Sequence, residues 1–228
     1  MDSYTPATLL SSNKKTGCSI DFPIKRHCRP TKNCSKDCYA KKGPIAWGHS
    51  KRKHDFMSTY MKGKDIKALI FECKQRTSVR ISGSGDLLMG HVPNLLKLAK
   101  ESPQTMFWGM TRKTEIAEAV NGKLPNLKLL LSVDSSSPDS VWDYQGKMCF
   151  GPRREGEKVP RSRQIVTVFP YHFGGHIVGH VERHPKDCPS VRHDATGCHD
   201  CGRCWGWSPP PCPPAWCATP NARYRAPP

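Results

Sequence analysis

Segments with strand character recur about every 25 residues through the middle of this chain of 228 residues, and helix signals separate them. The run at 127–133 is strongly apolar, which is typical of a strand that is buried on both faces of a parallel sheet. Parallel neighbours need a crossover connection, usually a helix, so this rhythm limits the fold to repeated strand–helix units. The predicted strands are 18–22, 78–82, 105–110, 127–133 and 165–169.

Helices are predicted in the connections between these strands. The stretch 92–100 repeats apolar residues at helical spacing. A second helix is predicted at 114–121, with Thr114 as its N-cap. The basic stretch 50–76 is predicted to supply one or two helices with a break near Gly63. The expected fold class is therefore α/β, a partial (β/α) barrel with parallel strands.

Polar residues follow the predicted strands at the points where the strands end. In parallel α/β folds the ligand-binding and catalytic atoms lie at this carboxyl edge of the sheet. The edge is therefore predicted to carry the functional site, with Arg112, Asp134 and His172 as the candidate catalytic residues. The turn after the second predicted strand contributes Gly83, Ser84, Gly85 and Asp86.

Four cysteines near the C-terminus form a C-x9-C-x2-C-x2-C pattern. The tight spacings put three thiolates on one short loop, which suits an iron–sulfur cluster or a tetrahedral zinc ion. Paired thiols or disulfides are the alternative, which the spacing disfavours. The predicted metal ligands are Cys188, Cys198, Cys201 and Cys204.

Three further cysteines, Cys28, Cys34 and Cys38, follow the first predicted strand in a C-x5-C-x3-C pattern. Three thiolates without a nearby fourth can hold a 4Fe–4S cluster that keeps one iron open to a ligand. An open metal position is typical of a reactive site. Two alternatives remain: a zinc site completed by His27 or by a cysteine from elsewhere, and unliganded thiols.

The chain is strongly basic, with 36 Lys and Arg against 19 Asp and Glu and a formal net charge of +17. Residues 21–64 alone hold twelve basic and three acidic residues, and a second basic concentration lies at 147–163. Such a charge attracts polyanions such as nucleic acid, and a merely soluble basic surface is the alternative. Nearby aromatic side chains could stack on bases, although their spacing favours the core. These are Tyr39, Trp47, Phe56 and Tyr60.

The sequence shows neither a signal peptide nor an apolar run of membrane-spanning length. We therefore expect a cytoplasmic protein without membrane contact, in which thiols stay reduced and serve metals. Residues 1–184 are predicted to form the α/β domain with its cysteine loop, and 185–207 a cysteine-rich metal-binding segment. Residues 208–228 hold eight prolines among 21 residues and are predicted to be a disordered tail.

Longer stretches around these cysteines resemble a known family. Residues 28–40 are Cys-Arg-Pro-Thr-Lys-Asn-Cys-Ser-Lys-Asp-Cys-Tyr-Ala, and residues 107–113 are Phe-Trp-Gly-Met-Thr-Arg-Lys. Together with the Ser-Gly-Asp turn and the terminal Cys-x2-Cys-x2-Cys-Trp, they are similar to the phage gene product 88 family. The similarity covers residues 10–207, which leaves out the proline-rich tail. The loop and the turn also resemble those of radical S-adenosylmethionine enzymes.

The second resemblance implies a cofactor and roles for particular residues. Cys28, Cys34 and Cys38 would hold a 4Fe–4S cluster whose fourth iron takes the methionine part of S-adenosylmethionine. The four C-terminal cysteines would hold an auxiliary cluster. The glycine-containing turn would meet the cofactor, so the implied cofactor-binding residues are Tyr39, Gly83, Ser84, Gly85 and Asp86. The usual loop in those enzymes is C-x3-C-x2-C, and the one here is longer.

Two functional hypotheses follow from the sequence. The first is a phage iron–sulfur enzyme of the radical S-adenosylmethionine type, with nucleic acid as one candidate substrate. The second is a basic nucleic-acid-binding protein without catalytic activity, stabilised by zinc or iron–sulfur sites.

Overall fold

The computed structural model describes residues 4–13, 17–36 and 38–170, together with the backbone of 172–173 and 176–177. Within these ranges seven strands form one mixed sheet, and two short strands form a separate antiparallel pair. The strands are β1 (Ser11–Asn13), β2 (Gly17–Ile20), β3 (Ser78–Ile81), β4 (Met106–Thr111), β5 (Leu127–Val133), β6 (Met148–Arg153), β7 (Ile165–Pro170), β8 (His172–Phe173) and β9 (His176–Ile177).

The helices of the described part lie between these strands. They are α1 (Ile24–His27), α2 (Lys32–Lys36), α3 (Gly48–Tyr60), α4 (Lys67–Lys74), α5 (Val92–Glu101) and α6 (Thr114–Val120). Short 3-10 turns occur at Tyr39–Lys41, Gly43–Ala46, Met89–His91 and Asp139–Asp143. None of the described helices combines the length and the apolar character needed to cross a bilayer.

The strands of the main sheet are adjacent in chain order from β1 to β7. β1 is antiparallel to β2, and every pair from β2 to β7 is parallel. The prediction of an α/β fold with a largely parallel sheet is therefore confirmed. In the described part of the sheet β1 and β7 are the outer strands, so closure into a partial barrel is not established.

Both faces of the sheet are buried. On one face, alternate residues of β5 such as Leu129 and Leu131 join the apolar clusters formed with the helices. Each such side chain contributes about 1.5–3 kcal/mol of hydrophobic stabilisation. On the other face Trp108, Leu130 and Cys149 are almost completely buried, although they belong to neither cluster. Double burial explains why β5 is mostly apolar, with Lys128 and Ser132 as its partly buried polar residues.

Most predicted elements match the structure to within two residues, and β5 matches at both ends. The predicted N-cap Thr114 is wrong, because Thr114 is already the first residue of α6. Lys113 precedes the helix with extended backbone angles, and its carbonyl accepts from the N–H groups of Ile116 and Ala117. No side-chain bond caps this end of the helix.

Strand β6 lies in a stretch for which the sequence predicted only an irregular connection. Its residues are Met-Cys-Phe-Gly-Pro-Arg, and glycine and proline disfavour a central strand. The pairing of β6 with β7 shifts register between Phe150 and Arg153. Pro152 therefore sits at an irregularity of the ladder, where its missing N–H is tolerated.

The turn after β3 lies close against the end of β2. The N–H of Phe22 donates to the carbonyl of Ser84 at 2.9 Å, and the N–H of Ser84 donates to Oδ1 of Asp21 at 2.8 Å. Gly85 has a φ of 71°, and a Cβ on it would lie 2.1 Å from the carbonyl oxygen of Phe22. This close approach requires glycine at position 85.

Three aromatic rings stack beneath this turn. The ring of Phe22 lies 4.7 Å from that of His91 and 5.9 Å from that of His27, measured between centroids. Nδ1 of His91 accepts from the N–H of Leu88 at 3.1 Å, so its Nε2–H donates to the carbonyl of Ser58 at 3.2 Å. His91 is fully buried, and burial lowers its pKa to about 4.

Several predictions of the sequence lie outside the described residues. The segments 185–207 and 208–228 do so entirely. The four predicted metal ligands of the first segment, Cys188, Cys198, Cys201 and Cys204, are among them.

We expect Gly85→Ala to lower the free energy of unfolding by more than about 3 kcal/mol, because the methyl group adds a backbone clash to an unfavourable φ. Gly122→Ala is the matched control, since Gly122 has a φ of 80° with nothing within 4 Å of its Cβ position. The control should cost only about 1 kcal/mol, the conformational penalty alone. Urea unfolding measures both variants, and equal losses would contradict the close approach at Gly85.

The neutral His91 ring should make stability depend on pH. Its pKa is lower in the folded chain than the ordinary 6.5, so the unfolded chain binds more protons between these values. This contribution is complete above pH 6.5 and is lost as the pH falls toward 4, by about 3 kcal/mol in total. We expect His91→Gln to flatten the fall in unfolding free energy over this range. An unchanged pH profile in the variant would contradict the assignment.

Candidate functional site

The carboxyl ends of β3, β4 and β5 bring three of the predicted site residues together. Oδ2 of Asp86 accepts from the backbone N–H of Arg112 at 3.1 Å. The guanidinium of Arg112 lies 3.0 Å from Oδ2 of Asp134. The side chain of Asp134 is fully buried, and that of Arg112 is 13% exposed. These residues lie side by side because neighbouring parallel strands end at the same edge.

The carboxylate of Asp134 is bonded through both of its oxygens. Oδ2 accepts from the hydroxyl of Thr31 at 2.5 Å and pairs with Arg112. Oδ1 accepts from the backbone N–H of Ser136 at 2.9 Å and from the hydroxyl of the same residue at 2.8 Å. A buried carboxylate with four partners holds its surroundings in one geometry.

Thr31 belongs to the loop that carries Cys28, Cys34 and Cys38. Its hydroxyl oxygen also accepts from the N–H of Cys34 at 3.2 Å. Two residues later, Asn33 donates from its backbone to the hydroxyl of Ser136 and from its side chain to that of Ser135. The cysteine loop is thus bonded directly to the residues that follow β5.

Tyr39 attaches the other end of the loop to the turn after β3. Its phenol donates to the carbonyl of Gly83 at 2.5 Å, while the residue as a whole is 57% exposed. Desolvation of the hydroxyl raises the pKa of Tyr39, and the charge of Arg80 partly opposes that effect. A further ion pair joins Arg29 to Glu115 at 2.8 Å, but its exposure limits it to less than about 1 kcal/mol.

The three thiols of the loop are free, partly exposed and close enough to affect one another's ionisation. Burial raises the pKa of Cys28 to about 12, and the charges of Asp86, Cys34 and Cys38 add to that increase. Burial also raises the pKa of Cys34. Cys28 and Cys34 therefore stay protonated at neutral pH unless a cation compensates their charge.

Arg112 supplies such a compensation at one of the three positions. Its guanidinium hydrogen-bonds the thiol of Cys34, and both its charge and this bond lower the pKa of that cysteine against the effect of burial. Arg112 therefore links Cys34 to Asp134. The sequence predicted Arg112 and Asp134, but not that one ion pair would join them to the cysteine loop.

Across the described ranges, no three His, Cys, Asp or Glu side chains converge as ligands of one metal ion. Ligands of a single zinc ion must meet around one point. The cysteines of a 4Fe–4S cluster bind separate irons and stand further apart, while remaining near enough to interact electrostatically. The three thiols of the loop interact electrostatically with one another.

His27 does not fit the zinc site that the sequence left open. Its Nδ1 donates to the carbonyl of Asp86 at 3.0 Å, and its Nε2 accepts from the hydroxyl of Ser58 at 2.9 Å. Both ring nitrogens are therefore occupied, and burial lowers the pKa of the ring. His27, which directly precedes the cysteine loop, uses its ring nitrogens to bond the turn after β3 and helix α3 instead of a metal.

Asp86 and Lys113 are buried groups of opposite charge that influence each other and Cys28 electrostatically. The two oxygens of Asp86 accept from the backbone N–H groups of Leu87 and Arg112, while desolvation raises its pKa. Nζ of Lys113 donates to the carbonyl of Leu87 at 2.5 Å, and burial lowers the pKa of this lysine. Asp86 thus supports the backbone around the turn, with both oxygens in use.

Ser84 lies in the same turn, but its side chain differs from that of Asp86 in its hydrogen bonding. Its hydroxyl is buried and has no hydrogen-bond partner in the described part of the protein, and the side chain is 2% exposed. The neighbouring Ser82 hydroxyl shares this property. A buried polar atom without a partner is costly, so it points to a group that bonds there when bound.

The side chains of the remaining predicted site residues lie outside the described part of the protein. His172 is a backbone member of β8, paired with Ile177, and its side chain lies outside the description. Sequence reasoning also missed Thr31 and Asn33, the polar residues that bond the loop. The available signal was their position between the cysteines, together with the serine-rich segment that follows β5.

Comparison with known families matches residues 4–206 to the family described as gene product 88. The match includes the cysteine loop, the glycine-containing turn and all four cysteines of the C-terminal segment. Searches of curated proteins and of solved structures find no significant similarity. The motifs on which the sequence resemblance rested all lie inside the matched region, and the chain therefore belongs to the phage gene product 88 family.

Proposed function

We propose that this protein is an iron–sulfur enzyme of the radical S-adenosylmethionine type, with an open 4Fe–4S cluster on Cys28, Cys34 and Cys38. The observation that supports it is the position of the cysteine loop. Three mutually interacting thiols are bonded onto the carboxyl edge of a parallel sheet, beside a glycine-containing turn. This is the edge where such folds carry their chemistry.

The turn after β3 is the proposed contact for the cofactor. The Ser84 hydroxyl has no partner among the described residues and is free to bond a polar group of S-adenosylmethionine. Gly83 and Gly85 keep the backbone near, and Tyr39 holds the turn and the loop together. Asp86 supports this backbone from below through its own hydrogen bonds. A reduced cluster bound here would supply the one electron that cleaves the cofactor's sulfonium into methionine and a carbon radical.

Asp134 and Arg112 receive more specific roles than the sequence gave them. The oxygens of Asp134 are taken by Thr31, Arg112 and Ser136, so we assign it the role of a positioning residue for the loop. Arg112 bonds the Cys34 thiol and favours its ionised form, the form that binds iron. His172 stays a candidate that follows β7.

The proposal extends to parts of the protein beyond this edge. Consecutive parallel strands require right-handed crossovers, which put the helices on one face. The other face, with Trp108 and Cys149, is also buried, which supports a sheet curled into a partial barrel. Cys188, Cys198, Cys201 and Cys204 would hold the auxiliary cluster. Free thiols in such numbers suit the reducing cytoplasm of a host cell.

The metal content of protein purified without oxygen tests the proposal. We expect about eight irons and eight labile sulfides per chain, with an EPR signal that changes when S-adenosylmethionine is added. Cys34→Ser should reduce the iron to about four per chain by removing the open cluster. Cys18→Ser is the matched control, because Cys18 is also a free, partly exposed thiol but lies in β2. Zinc without sulfide, or equal iron in both variants, would contradict the cluster on the loop.

The bond between Thr31 and Asp134 should determine how firmly the loop is held. We expect Thr31→Val to speed tryptic cleavage at Lys32 and Lys36 in the metal-free protein, because the loop loses its contact with the buried carboxylate. Thr59→Val is the control, since that hydroxyl bonds only its own helix at the surface. Mass spectrometry of the early fragments gives both rates. Identical cleavage in the two variants would show that this bond does not hold the loop.

A further inference from the structure

Large apolar side chains lie exposed at the surface, and two of them follow the last cysteine of the loop. In the described ranges four of them are highly exposed: Tyr39, Trp47, Phe71 and Met89. Tyr39 and Trp47 are eight positions apart, and their exposed fractions are 57% and 65%. The sequence had favoured the core for them. That expectation holds only for Phe56 and Tyr60, which stack on each other and pack against the core.

The segment between the two exposed rings is ordered by its own hydrogen bonds. It consists of two 3-10 turns, Tyr39–Lys41 and Gly43–Ala46, and it leads directly into α3. The hydroxyl of Ser50 donates to the carbonyl of Pro44 at 2.8 Å, and the phenol of Tyr39 is bonded to the turn after β3. The Tyr39 ring is positioned by this bond, so it loses little conformational entropy when a partner stacks on it.

Positive charge surrounds these rings. Residues 22–54 contain ten Lys and Arg, and their only acidic residue is Asp37. Lys32 and Lys36 are exposed one turn apart on α2, the helix that carries Cys34. Lys41 and Lys42 are exposed between the two aromatic residues. A surface of this kind presents cations to phosphates and ring faces to bases.

We propose that the exposed segment 32–47 docks single-stranded nucleic acid, with Trp47 stacking on an unpaired base and the lysines of α2 contacting phosphates. Duplex DNA hides its base faces, so exposed rings on a cationic surface favour a single strand. The surface lies beside the cysteine loop and would bring a strand to the carboxyl edge. The docking itself rests on exposure and charge, and it goes beyond the proposed cluster chemistry.

Anisotropy titrations with labelled single-stranded DNA and RNA of mixed sequence test the role of Trp47. We expect Trp47→Ala to weaken binding by about tenfold, the loss of one base–aromatic stack, and Trp47→Phe to keep most of the affinity. Phe71→Ala is the matched control, because Phe71 is 68% exposed but lies on α4. Equal effects of the two alanine variants, or equally strong competition by unlabelled duplex, would overturn the proposal.

The salt dependence of binding tests the lysines separately. Replacing Lys32 and Lys36 together by alanine should lower the slope of log affinity against log salt by about 1.4, because two phosphate contacts are lost. Replacing Lys97 and Lys100 together, an exposed pair on α5, changes the charge equally and should leave the slope as it was. An unchanged slope in the first variant would overturn the phosphate contacts. Iron content measured on each variant distinguishes a failed surface from a failed cluster.

Discussion

The buried carboxylate of Asp134 is the interaction on which the arrangement of the site depends. It joins the end of β5, the residue after β4 and the cysteine loop, through Ser136, Arg112 and Thr31 respectively. Burying a carboxylate costs several kcal/mol, and only close ionic and hydrogen-bonded partners offset that cost. Its partners are therefore not interchangeable, and losing one would leave the charge uncompensated. The cysteine loop is held at this edge because Thr31, which lies in the loop, bonds the buried carboxylate.

Burial explains why the Cys28 and Cys34 thiols resist ionisation, and the charges at the carboxyl edge modify that effect. Asp86 and Asp134 are matched by Arg112 and Lys113, so the edge is nearly neutral before any thiolate forms. Three thiolates would add three negative charges to a partly buried space. Cys34 has Arg112 beside it, whereas Cys28 faces Asp86. A cation bound there would compensate that charge.

The parallel sheet could be predicted from the sequence because apolar runs at regular intervals leave few other folds. The carboxyl edge followed from the direction of the strands, which located Asp86, Arg112 and Asp134 near one another. Strand β6 could not be predicted, since glycine and proline disfavour strands. Gly151 and Pro152 are tolerated because the pairing of β6 with β7 is irregular at that point. The pairing of Thr31 with Asp134 spans 103 residues, and no local pattern reports such a contact. The two hydrogen bonds of His27 could not be predicted for the same reason, because both partners come from distant segments.

The distance along the chain between the loop and its partners has a consequence for how the protein is made. The three cysteines of the loop leave the ribosome early. The partners of Tyr39, Arg29 and Thr31 are synthesised later, and they are Gly83, Glu115 and Asp134 respectively. Glu115 and Asp134 lie in the second half of the chain, so the loop is fully attached only after more than half of the polypeptide has been synthesised. A nascent chain truncated before the end of β5 would carry the cysteine motif without the buried carboxylate that holds the loop in its geometry.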